Sequence, residues 1–74
     1  MTRIEFIEWL EGKGWQESIN GHEYKNGGNW IQFFGKRWKY WLFCIGKIRT
    51  DDKLKFPSSP EHAEEFFRIL GVDL

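Results

Sequence analysis

The chain has 74 residues, 30% of them charged, with 11 cations set against 11 carboxylates. That length makes one domain, residues 1–74, near the lower limit at which a single core holds without disulfide or metal staples. The one cysteine, Cys44, excludes an internal disulfide and cannot build a zinc site by itself, so no metal and no cofactor is expected.

No run of about 18 apolar residues occurs, and the N-terminus lacks a signal-peptide pattern. The expectation is a soluble, cytoplasmic protein without a membrane partner. Its charge is unevenly distributed. Residues 1–23 set Arg3 and Lys13 against Glu5, Glu8, Glu11, Glu17 and Glu23. Residues 36–55 set Lys36, Arg37, Lys39, Lys47, Arg49, Lys53 and Lys55 against Asp51 and Asp52. Residues 56–74 turn acidic again, with Arg68 against Glu61, Glu64, Glu65 and Asp73. A basic middle between acidic ends says more about partners than the zero total does.

Thr2-Arg3-Ile4-Glu5 has the spacing of a capping box, in which the hydroxyl and the carboxylate each accept a backbone N–H of the other residue. It predicts a helix to about Glu11, with Ile4, Phe6, Ile7, Trp9 and Leu10 as a wide apolar stripe. Gly12 or Gly14 supplies the stop by taking the left-handed conformation after the last turn. A first strand over about 21–25 follows, and Gln16 to Ile19 is left open as a further short one. Asn26-Gly27-Gly28-Asn29 then reads as a hairpin turn.

Trp30 to Ile48 is the aromatic centre of the chain. It predicts a second strand over Trp30–Phe34, a three-residue loop Gly35-Lys36-Arg37, and a third strand from Trp38 to about Arg49. That loop pairs Phe34 with Trp38, Gln32 with Tyr40 and Trp30 with Leu42. Lys39, Trp41, Phe43, Ile45, Lys47 and Arg49 occupy one face of the third strand, and their cations assign it to solvent. Trp38, Tyr40, Leu42, Cys44 and Ile48 take the core face. Lys53 to Phe56 offers a short edge strand. Ser59 as N-cap with Pro60 next starts a last helix, where Ala63, Phe66, Phe67 and Leu70 share one face and Gly71 is the stop. The predicted fold class is α+β: an α-β-β-β-α two-layer sandwich of three antiparallel strands with both helices on one face.

The chemistry-bearing residues are few. His62 falls in the first turn of the last helix, and His22 beside a turn at a strand start. Cys44, His22 and His62 match no metal-ligand spacing. Gly27-Gly28 belongs to a turn and makes no phosphate loop. Enzymatic activity is therefore not the leading expectation. The helix ending in Lys13-Gly14-Trp15, Gly21-His22 at the first strand, and the closing helix ending Ile69-Leu70-Gly71-Val72 resemble the HicA toxin family. The resemblance implies an α-β-β-β-α domain of the double-stranded-RNA-binding type that cleaves messenger RNA, with His22 in the catalytic position. The chain departs from that family in lacking its Gly-Ser-His motif, in its acidic last helix and in a longer, more aromatic hairpin.

The remaining signal is the outward face of the hairpin, with Lys36, Arg37, Lys39, Trp41, Phe43, Lys47 and Arg49 as the candidate binding residues. Aromatics among cations suit a protein hot spot or a stacking surface for bases. The first expectation is a non-catalytic module that binds a protein partner or a second copy of itself, such as an inhibitor encoded by a phage or mobile element. The alternatives are a single-stranded nucleic-acid binder using the same face, and a HicA-like ribonuclease using His22.

Overall fold

The computed structural model describes residues 1–18, 21–42 and 52–72, with the backbone alone at Ile48 and Arg49. Helix α1 spans Arg3–Gly12. Its capping box is complete: the Glu5 amide donates to Thr2 Oγ1 at 3.2 Å, and the Thr2 amide donates to Glu5 Oε1 at 2.8 Å. These bonds hold the Glu5 carboxyl below the usual glutamate range, the Thr2 backbone bond being the largest cause. A carboxyl depressed by folding lends its stabilisation above the ordinary range and loses it as pH falls through the folded value. The start of α1 is therefore expected to fray on acidification, with the Cα chemical shifts of Arg3 to Phe6 moving toward coil values. A Glu5→Gln variant should lack that acid step, and Thr2→Ala should cost about 1 kcal/mol at any pH.

Gly14, at φ 93°, ends α1 in a left-handed turn that a residue with a Cβ adopts poorly. The Gly14 amide bonds Glu11 O at 3.1 Å and the Trp15 amide bonds Leu10 O at 3.0 Å. Helix α2, Pro60–Ile69, stops the same way at Gly71, whose amide bonds Arg68 O at 3.0 Å while that of Val72 bonds Phe67 O at 2.9 Å. Both are Schellman motifs, and each sends the next residue, Trp15 or Val72, back into the core. At its start, α2 has Ser59 as N-cap, accepting from the His62 amide at 3.1 Å, with Pro60 in the first turn.

The fold is α+β, but its sheet is larger than three strands. Six are described: β1 Gln16–Glu17, β2 Glu23–Asn26, β3 Asn29–Phe34, β4 Arg37–Leu42, β5 Ile48–Arg49 and β6 Leu54–Lys55. The order is β1-β2-β3-β4-β5, all neighbours antiparallel. β6 pairs with β4 at Arg37 and Trp38, on the edge where β5 pairs with Trp41 and Leu42. Thus the single long strand expected from Trp38 to Arg49 is two antiparallel strands. The predicted strand residues Phe43 to Lys47, Cys44 included, lie outside the described residues.

The second correction concerns register. Phe34 pairs with Arg37, Gln32 with Lys39 and Trp30 with Trp41, so the connection is the two residues Gly35-Lys36 rather than three. Gly35 sits at φ 61°, the positive value that two-residue hairpin turns demand at their first position. Side chains alternate along a strand, so this one-residue difference turns all of β3 over. Asn29, Ile31 and Phe33 are buried, and Trp30, Gln32 and Phe34 share the other face with Lys39 and Trp41. The orientation of β4 is as expected: Trp38 and Leu42 are buried.

Both helices pack on the buried sheet face. Phe6 of α1 meets Phe33 and Trp38 at ring separations of 5.9 and 5.1 Å, and Phe66 and Phe67 of α2 meet Trp38 at 5.5 and 6.0 Å. Trp9 stacks on Phe67 at 5.8 Å and joins the helices to each other. Lys13 and Glu64 add a salt bridge of 2.9 Å between them, worth at most about 1 kcal/mol at the surface. The stripe of α1 is narrower than expected. Phe6 and Leu10 are buried, whereas Ile4 is 68% exposed. The Cα radius of gyration is 11.1 Å, close to the roughly 11 Å of a single compact domain of this length.

Candidate functional site

The sheet register arranges the unburied face into rows. One row crosses five strands: Gln16, Lys25, Trp30, Trp41 and the backbone position of Arg49. The next holds Glu23, Gln32 and Lys39. The third holds Phe34, Arg37 and Lys55. The described contacts of α1 and α2 all fall on the opposite face, so neither helix covers these rows.

Two rings on this face, Trp30 and Phe34, have ammonium groups against them. Lys25 Nζ lies 4.4 Å from the centre of the Trp30 ring. Lys53 Nζ lies 4.9 Å, and Lys39 Nζ 5.9 Å, from the centre of Phe34. Such exposed cation–π contacts are worth about 0.5–1 kcal/mol each. Trp30 is 40% exposed, while Phe34 and Trp41 are half-buried. The strands place Glu23 here as the counterweight to Lys25, Arg37, Lys39 and Lys55, so among the described residues the face is cationic. Glu5, Glu8, Glu11, Glu61, Glu64 and Glu65 all belong to the helices. The molecule therefore has an acidic helical layer and a basic, aromatic sheet face.

Of the residues singled out in the sequence, Arg37, Lys39 and Trp41 share this face, and Lys36 is exposed at the hairpin turn beside it. Arg49 is placed by its backbone opposite Trp41. Phe43 and Lys47 lie outside the described residues. Sequence reasoning missed Trp30 and Phe34, which its register had turned away, and also Lys25, Lys53 and Lys55. One signal was present: Gln32 between Ile31 and Phe33 already argued that the even positions of β3 face water.

His22 belongs to a different region. Arg3 of α1 lies over the Phe33 ring at 5.1 Å, and its guanidinium is 3.1 Å from His22 Nδ1. Arginine has no acceptor, so Nδ1 accepts this hydrogen bond. The His22 ring is thus exposed on the helix side of the sheet, away from the aromatic rows. His62 Nδ1 takes the Ser58 amide at 3.0 Å, with Ser58 Oγ at 3.1 Å, and fastens the entry to α2. It lines a recess of about 140 Å³ with Trp38, Leu54, Lys55, Pro57 and Phe66, smaller than the several hundred Å³ usual for small-molecule sites. Among the described residues no three His, Cys, Asp or Glu side chains converge as metal ligands, and no helix is long and apolar enough to cross a membrane.

No known protein family matches the chain, and no solved structure does. Two curated relatives, both from Streptococcus pneumoniae, are an ATP-dependent helicase/nuclease component of serotype 2 and the exonuclease/helicase component RexA of serotype 4. Each is 33% identical over 78 aligned residues that take in 99% of this chain, and the chain spans 6% of the length of these relatives.

Proposed function

We propose that this protein binds single-stranded nucleic acid through the outer face of its sheet. The observation that carries this reading is the pairing of rings with ammonium groups on a face that neither helix covers: Trp30 with Lys25, and Phe34 with Lys53 and Lys39. A base stacked on an aromatic ring gains about 1–3 kcal/mol. That exceeds the roughly 0.5–1 kcal/mol of an exposed cation–π contact. A base can thus displace the ammonium from the ring, and the freed ammonium remains next to the phosphate. The charge balance of the face, Lys25, Arg37, Lys39 and Lys55 against Glu23, favours a polyanion. The relatives named as helicase/nuclease components lend support from sequence.

The test is a titration of tryptophan fluorescence with single-stranded DNA and RNA at low and high salt. With three or four phosphates neutralised and a slope of about 0.7 per phosphate, affinity is expected to fall roughly 20- to 50-fold between 50 and 200 mM salt. Absence of quenching at low salt would defeat the reading and leave the face to an acidic protein partner. The same RNA run on a gel addresses a second reading, the HicA-like one, which the exposed His22 ring beside the Arg3 guanidinium favours. Cleavage abolished by His22→Ala would support it, and intact RNA would end it.

A further inference from the structure

The outer face repeats one unit, a ring with its own ammonium, at two places along β3. Trp30 carries Lys25 at one end, and Phe34 carries Lys39 and Lys53 at the other. Four residues of strand separate the two rings, or about 13 Å at 3.3 Å per residue. A strand rising at least about 3.4 Å per nucleotide crosses that separation in no more than about four steps, or about five nucleotides, and in fewer where bases leave one another to stack on the rings. Between the stations lie Gln32 and Lys39, directly opposite each other, and Glu23 beside Gln32. Gln32 and Glu23 bring an amide and a carboxylate, groups that hydrogen-bond base edges; a carboxylate repels phosphate. Lys25 at one end, Lys53 at the other and Lys39 between them thus offer cations to the phosphates along the whole span, with the Gln32 amide and the Glu23 carboxylate beside Lys39 for base edges.

We infer that the face is a two-station platform for a single strand of up to about five nucleotides running along β3, one base stacked at Trp30 and one at Phe34. This rests on the proposed function and adds footprint and direction to it. A duplex is excluded from the role because its bases are already stacked on one another and offer no free face to a ring. Deoxyribose and ribose strands share the required chemistry, bases and phosphates, so both belong in the test.

The experiment measures anisotropy of end-labelled oligothymidylates and oligouridylates of two to ten nucleotides with the full chain at low salt. Affinity is expected to climb steeply until both stations are filled, at no more than about five nucleotides, and to rise slowly beyond. A duplex of the same length should bind at least tenfold more weakly. For the longer oligomers, Trp30→Ala and Phe34→Ala should each lose about 5- to 150-fold, the worth of one stacked base, and Trp30→Phe should restore most of the first loss. Thermal melts of each variant separate loss of a contact from loss of fold. Affinity that grows with length without a break and ignores both alanine variants would overturn the two-station platform while leaving salt-dependent binding in place. Failure of every oligomer at low salt would remove the proposed function together with this inference.

Discussion

Replacing Trp38 by alanine is expected to cost about 3–5 kcal/mol, the usual price of truncating a buried aromatic to alanine. Trp38 is 1% exposed and lies within 6.0 Å, ring to ring, of Phe6, Tyr40, Phe66 and Phe67. It is the ring at which both helices and β4 meet. Its Nε1 also donates to Lys55 O at 2.9 Å, tying β6 to the core. A domain of this size has roughly 4–11 kcal/mol of total stability, so the alanine variant should be largely unfolded or close to it. Urea unfolding followed by far-UV circular dichroism measures this, and a midpoint equal to that of the parent would refute the central role of Trp38. A paired comparison isolates the hydrogen bond. Trp15 is also buried, yet its Nε1 has no partner among the described residues. Tryptophan to phenylalanine should therefore be costlier at position 38 than at position 15, by about 1–2 kcal/mol.

The largest effect on binding is expected from reversing Lys25 and Lys39 to glutamate together. Each touches a ring on the outer face, one at each station. Losing two phosphate contacts should lower the salt slope by about 1.4, which at 50 mM salt is nearly two decades of affinity before repulsion is added. Both side chains are only half-buried, so the fold should survive with a change of roughly 1 kcal/mol per exposed cation–π contact removed. Lys13→Glu is the control. It inverts a charge on the helical layer, where Lys13 pairs with Glu64, and should leave binding within about twofold. Equal losses from the control and the double variant would mean that net charge, and not this face, governs association.

Much of the candidate site could be read from β4 alone. Arg37, Lys39 and Trp41 alternate with Trp38 and Leu42, and that alternation separates an outer from an inner face whatever the partner strand does. What the reading lacked was the other half of the platform. With a three-residue loop, Trp30 and Phe34 belonged to the core, and the paired stations did not exist. Lys53 and Lys55 came from a turn and an edge strand whose place beside β4 is set by a contact 17 residues away in sequence.

The elements with local causes were settled by the sequence. Thr2 with Glu5, Ser59 with Pro60, Gly71, and the turn at Asn26 to Asn29 each act through hydrogen bonds or backbone preferences within a few residues. No distant partner is needed to satisfy them, so their spacing alone is informative. Tertiary structure decided the register of β3 on β4, the return of Ile48–Arg49 along β4, and the number of strands. In an aromatic-rich hairpin both faces are apolar enough to be buried. The choice between them falls to whichever face the helices cover, a contact between residues far apart in the chain.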